Sequence, residues 1–186
     1  QEQLGQRLIA MQARVESEKL KKGTLDLKDW DRINFALNEL NNTKIVIDDT
    51  PGISIMEMRN KCRRLKAEQG LDLIVVDYLQ LMTFDGRADS RQQEISALSR
   101  HLKLLAREMN CPVIVLSQLS RAPELRQDKR PMLSDLRESG SIEQDADIVM
   151  FLYRDDYYNE NTEKPGVCEI NIAKHRSGPT DRIDLT

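Results

Sequence analysis

Two short runs restrict the fold more than anything else in the chain: LIVVD (73–77) and VIVLS (113–117) are apolar at every position until a polar residue closes each one. A strand wetted on one side alternates apolar and polar residues, because successive side chains point to opposite faces. A run without alternation belongs to a strand buried on both faces, as in a parallel sheet covered by helices. The segment between the runs supplies such a helix. Ser90 with Gln93 forms a capping pair, and Ile95, Leu98, Leu102, Leu105 and Met109 recur on one face. Lys44 to Asp48 (KIVID) has the same character and reads as a third buried strand. After it, Ser54 and Glu57 open a helix with Ile55, Met58, Cys62 and Leu65 on one side, and Gly70 ends it. Strand, helix, strand, helix, strand predicts a parallel sheet with right-handed crossovers.

The flanks extend this plan. Leu4, Leu8, Met11 and Val15 mark a first helix; Asp26 and Asp29 cap a second that carries Trp30, Ile33, Leu37 and Leu40. Beyond a polar stretch, IVMFLY (148–153), CEINIA (168–173) and RIDL (182–185) lack long helical spacers and read as strands joined by hairpins, with a Gly178-Pro179 turn between the last two. The expectation is α/β: one domain over 1–186, a mostly parallel sheet flanked by helices, and C-terminal strands joined by hairpins.

Composition removes whole classes of function. The chain has 186 residues, 39% hydrophobic and 32% charged, which suits a folded domain with a charged surface. No apolar run approaches the ~20 residues that span a bilayer, so no membrane association is expected. Cys62, Cys111 and Cys168 are odd in number and never spaced C-x-x-C, which argues against a disulfide framework or thiolate zinc site and for a reducing, cytoplasmic home. His101 and His175 are too few for a histidine metal cluster. The net charge of -3 speaks against a general nucleic-acid binder, but residues 121–137 hold five basic residues against three acidic ones.

In open parallel sheets, ligands bind beyond the carboxyl ends of the strands. Asp77 and Gln118 stand there, on separate strands. An apolar strand closing on Asp is what a magnesium-dependent nucleotide site needs, since the strand fixes the carboxylate beside the phosphates; a polar residue in that place can also simply cap a loop. Arg59, Arg63 and Lys66 form a cationic stripe whose default reading is a solvated helix face, with a subunit contact as the sharper one.

LIVVDYLQLM (73–82), VIVLSQLSR (113–121) and KRPMLSDLRESGSIEQDADIVMFLYRDDYY (129–158) resemble successive motifs of the bacterial replicative DNA helicases, the DnaB type of RecA-fold hexameric ATPase. IAKHRSGPT (172–180) resembles that family's hairpin bearing the trans-acting basic finger, and the likeness runs from about residue 1 to residue 185. It implies a RecA-like core that uses ATP and Mg²⁺, a homo-hexameric ring on single-stranded DNA, and contacts with primase and a helicase loader through the full-length protein. Asp77 would hold Mg²⁺ through water, Gln118 would sense the γ-phosphate, and Lys174 and Arg176 would reach nucleotide bound by the neighbouring subunit. Lys174 and Arg176 are two apart on an extended strand, so they point the same way. Arg137, Glu138 and Gly140 would line the central channel and grip the DNA backbone.

The pattern G-x-x-x-x-G-K-[ST] does not occur, since no glycine here is followed by Lys. Without that loop the phosphates lack a cradle. The family's attacking-water glutamate is not matched either. The expectation is the C-terminal part of a longer helicase, inactive by itself and with apolar surface exposed. The alternatives are a non-catalytic RecA-like module binding DNA or a partner, and a recombinase-type ATPase of the same superfold.

Overall fold

Apolar positions spaced three and four apart build the first of two units into which the chain divides, Gln1–Thr50 and Pro51–Thr186. The computed structural model describes residues 2–136 and 140–186 in full and residues 137–139 by backbone alone. In the first unit, α1 (Glu2–Ala13), α2 (Ser17–Lys22) and α3 (Leu27–Asn41) enclose Ala10, Ala13, Val15, Ile33 and Ala36. Asp26 caps α3: its Oδ1 accepts from the Asp29 N–H at 2.7 Å, and Asp29 accepts in return from the Asp26 N–H. α1 and α3 are the helices expected, α2 is additional, and the buried faces agree only in part. Val15 and Ile33 are buried as expected, with Ala10, Ala13 and Ala36 beside them, while Leu4, Met11, Trp30 and Leu37 are exposed.

KIVID (44–48) forms no strand. Ile45 and Val46 are 55% and 59% exposed, and among the described residues no strand lies beside them to supply backbone partners.

The second unit begins with α4 (Ile55–Gln69), then β1 (Ile74–Val76), α5 (Arg91–Met109) and β2 (Val113–Val115). Ser54 and Ser90 cap α4 and α5 through the N–H groups of Glu57 and Gln93. The strands pair in parallel, with Ile74 opposite Val113 and Val76 opposite Val115. The α5 residues expected to be buried, Ile95, Leu98, Leu102, Leu105 and Met109, are the ones that pack on Ile74 and Val76. Helices cover only that side. Among the described residues the opposite face stays open, with Val75 57% and Ile114 46% exposed beside Leu73 and Leu116, which is the exposed apolar surface expected.

The cationic stripe on α4 has a use inside the chain. The Arg59 Nε donates to Glu108 at 2.6 Å, Arg63 pairs with the same carboxylate, and Lys66 donates to the Met109 carbonyl. The stripe therefore ties α4 to the end of α5 instead of facing solvent alone.

After α6 (Ala122–Leu125), a 3-10 segment (Leu133–Ser139) runs into α7 (Gly140–Asp145). The antiparallel sheet of β3 (Ile148–Tyr153), β4 (Cys168–His175) and β5 (Asp181–Leu185) follows in that order. Val149 and Phe151 alternate inward onto Leu136, and a register shift lies between Val149 and Met150. The three C-terminal strands read from sequence are thus present, joined as expected.

Candidate functional site

Asp77 follows the last residue of β1. Continuing the strand's alternation puts it on the open face that carries Val75, and its carboxylate is exposed. Among the described residues nothing pairs with it, while the ladder around it is complete: the Leu116 N–H donates to the Val76 carbonyl and the Leu79 N–H to the Leu116 carbonyl, each at 2.9 Å. The Asp77–Tyr78 peptide bond is cis.

Gln118 stands three residues beyond the end of β2, exposed. Its main chain is clamped by a residue that sequence reading missed. The Gln80 Oε1 accepts from the Gln118 N–H at 3.1 Å, and the Gln80 Nε2 donates to the Gln118 carbonyl at 3.2 Å and to the Ser117 hydroxyl at 3.1 Å. Gln80 is in turn held from behind, its carbonyl accepting from the Arg91 Nη2 at 2.6 Å. One amide thus ties the end of β2 to the turn after β1, and leaves the Gln118 side chain outside the clamp. The available signal was a polar residue three positions after Asp77 in an otherwise apolar stretch.

The second group of expected residues lies at the other sheet. Lys174, near the end of β4 and opposite Val149, donates to the carbonyls of Ala146 at 2.8 Å, Gln144 at 3.4 Å, and Glu143. Arg176 is largely exposed; its guanidinium approaches Asp147 at 3.5 Å and its N–H donates to the Asp147 carbonyl at 2.8 Å. Both cations therefore reach the 143–147 segment, in accord with their two-residue spacing. Asp147 also pairs with Lys103, and these two cations, Lys103 foremost, hold its carboxyl below the ordinary aspartate range.

Gly140 opens α7 with ordinary helical angles, φ −52 and ψ −23, and an added Cβ there would meet nothing within 4 Å. Neither backbone nor packing inside this chain demands a glycine at that position. Arg137 and Glu138, the other residues expected to touch DNA, lie outside the residues whose side chains are described.

The segment leading to Gly140 is held by two buried ion pairs absent from the sequence reading. Arg126 donates to both Asp135 oxygens, at 2.8 and 2.7 Å, and Arg130 donates to both Glu169 oxygens at 2.8 Å each. Burial would raise the Asp135 carboxyl, but the Arg126 guanidinium and the Met132 N–H hold it below the usual range. Arg130 also stacks over the Tyr153 ring, 4.6 Å from its centroid. Two of the five positive charges counted in 121–137 are therefore neutralised within the protein.

The site does not bring Asp77 and Gln118 to Lys174 and Arg176 by any hydrogen bond or ion pair among the described residues. Those residues hold no group of three or more His, Cys, Asp or Glu side chains that could hold a metal. A lone, unpaired carboxylate fits Mg²⁺ held through water, with the remaining ligands taken from phosphate and solvent oxygens. None of the described helices is long and apolar enough to cross a membrane.

Comparison with known proteins is consistent across sequence and structure. The family model described as the DnaB-like helicase C-terminal domain matches residues 1–186. The chain is similar to the replicative DNA helicase DnaC of Bacillus subtilis (strain 168), 56% identical over 185 residues, which covers 99% of this chain and 41% of that protein. It is also similar to the replicative DNA helicase DnaB of Geobacillus stearothermophilus, at 55% identity over 185 residues with the same coverage. A solved structure described as a DnaB-like replicative helicase and its interactions with primase superposes with a TM-score of 0.91 at 46% identity, covering 97% of this chain and 44% of that one. The chain thus spans about two-fifths of the length of the curated relatives it matches.

Proposed function

This chain belongs to the DnaB-like helicase C-terminal domain family, with a RecA-like α/β fold, and on that premise we propose that it is part of an ATP-driven ring that moves along single-stranded DNA and unwinds duplex DNA in replication. One observation carries this reading. At the carboxyl edge of the parallel pair, an unpaired Asp77 stands on one strand end and Gln118 on the next, its main chain fixed by Gln80 and its side chain outside that clamp. A strand that merely ends in a polar residue does not need a second side chain dedicated to fixing its neighbour.

In this reading Asp77 holds Mg²⁺ through water, and the metal neutralises charge developing on the transferring phosphoryl group. Gln118 lies where a γ-phosphate is sensed, and any shift of its amide pulls on the Ser117–Gln118 main chain that Gln80 grips. Lys174 and Arg176, two apart and both reaching the 143–147 segment, serve the nucleotide of the neighbouring subunit. A cation delivered in trans to the transferring group contributes on the order of 10³–10⁵ in rate. The proposed assembly is a homo-hexamer working in the cytoplasm, with primase and a loader as partners of the whole protein.

Gly140, where an added Cβ would meet none of the described residues within 4 Å, supports close approach of a DNA phosphate to the start of α7, with Arg137 and Glu138 as the proposed companions. Residues 1–186 contain no phosphate cradle, so turnover is proposed for a protein that supplies one beyond them and not for these residues alone.

Strand displacement and ATP hydrolysis by the full-length protein test the proposal. Asp77→Asn and Gln118→Ala are expected to abolish both while the ring still assembles in sedimentation. A ring that binds single strands but hydrolyses nothing, or turnover untouched by either substitution, sinks the enzyme reading and leaves a binding module.

A further inference from the structure

Lys174 and Arg176 differ in what holds them. The Arg176 side chain is 65% exposed and its guanidinium approaches Asp147 at 3.5 Å, and Asp147 keeps Lys103 if Arg176 departs. Lys174 is half-buried, and its ammonium meets the carbonyls of Glu143, Gln144 and Ala146. An ammonium has three donors, and here each has an acceptor. These carbonyls belong to the last turn of α7 and the residue just beyond it, where a helix leaves carbonyls without partners and its dipole favours a cation. The other end of the same helix is Gly140, in the loop proposed to grip DNA.

Resting on the interface reading above, we propose that Lys174 is a positioning residue for the DNA-gripping loop: it closes the C-terminal end of α7 while the neighbouring subunit presents no γ-phosphate, and releases α7 when it turns to that phosphate. An ammonium turned to that phosphate no longer gives all three of its donors to α7. A phosphate accepts charge-assisted bonds that are stronger than those of a carbonyl, so bound ATP draws the ammonium across. The cost of transfer falls on α7, which keeps the Ser141–Ser96 hydroxyl contact at 2.8 Å and the backbone bond from the Ala146 N–H to the Ile142 carbonyl, but loses its cap. Nucleotide state at one subunit interface is thereby written into the mobility of the helix that begins at the DNA loop.

Amide hydrogen exchange over residues 143–147 of the full-length ring tests this, with Mg²⁺ and AMP-PNP as the probe and binding of AMP-PNP verified by displacement of a fluorescent nucleotide. In the wild type, AMP-PNP is expected to speed exchange there by about two- to tenfold, the worth of one lost capping bond. Lys174→Met is expected to show the faster exchange without nucleotide and no further change when AMP-PNP binds. Wild-type exchange that stays unchanged or slows with AMP-PNP bound overturns the inference, as does a nucleotide-free Lys174→Met ring that exchanges like the wild type. ATP hydrolysis measured on Lys174→Met and Arg176→Ala separates the two levels. Undiminished turnover in both removes the interface reading, whereas lost turnover with unmoved exchange removes only the α7 coupling.

Discussion

Replacing Asp135 with Ala probes a carboxylate that is held by three donors. The carboxylate is 1% exposed and accepts from the Arg126 Nη1 at 2.8 Å, the Arg126 Nη2 at 2.7 Å and the Met132 N–H at 2.8 Å. Removing one partner of a buried pair costs about 3–5 kcal/mol, because the other charge is left uncompensated. Arg126 is 28% exposed in its side chain and regains some water, which places Asp135→Ala near the low end, about 3 kcal/mol. With a urea slope of about 2 kcal/mol per molar, the unfolding midpoint falls by about 1.5 M. The chain offers a clean optical assay. Tyr78, Tyr153, Tyr157 and Tyr158 all lie in Pro51–Thr186, so their near-ultraviolet dichroism reports the unit that holds Asp135; the single Trp30 reports the other unit. The pH dependence follows from the depressed carboxyl. A group whose folded pKa is lowered stabilises the fold above its unfolded pKa, near 4, and loses that contribution as pH falls through the folded value. The gap between Asp135→Ala and wild type is therefore full at neutral pH and narrows as pH falls below about 4. A tyrosine midpoint lowered by less than about 0.5 M at neutral pH, equivalent to about 1 kcal/mol, refutes the reasoning.

Gly70 ends α4 at φ +86 and ψ 164, a conformation that side chains resist, while a Cβ there would meet nothing within 4 Å. Gly70→Ala should cost about 1–3 kcal/mol through backbone strain alone, read as a lower tyrosine-monitored urea midpoint. Burial, then the hydrogen bond to Asp155, pushes the Tyr153 phenol up to about 12. Tyr153→Phe should remove the part of the alkaline 295 nm absorbance rise that appears near pH 12.

What was legible in the sequence was whatever a single element decides for itself. The face of α5 was readable because Ile95, Leu98, Leu102, Leu105 and Met109 are large and regularly spaced. The caps at Asp26, Ser54 and Ser90 were readable because a side chain reaches only three residues onward. KIVID failed for the opposite reason: β propensity describes a residue's fitness for a pleated surface, but a strand exists only with a neighbour, and 44–48 has none among the described residues. Asp77 and Gln118 were placed by the rule for strand ends, yet Gln80, which fixes the Gln118 main chain, was hidden because its partner is 38 residues away. Arg126 and Arg130 show the same limit. Charge counting took them as surface charge facing DNA, and only the fold brings Arg130 to Glu169 across 39 residues. Net charge says how many charges exist, and pairing decides which of them a ligand can feel.

That pairing also gives direction to the loop proposed to hold DNA. Its upstream end is tied at Asp135, whose carboxylate has three donors, all from this chain, and no access to an outside competitor. Its downstream end continues into α7, which is tied by Lys174 through bonds to neutral carbonyls, near a residue pair that reaches outward. Bonds to carbonyls yield to phosphate; a buried bidentate ion pair does not. A segment fixed firmly at both ends could bind a strand but not move it, and one loose at both ends could not transmit force. On the proposal above, the firm anchor lies at Asp135 and the exchangeable one at Lys174, on either side of Gly140.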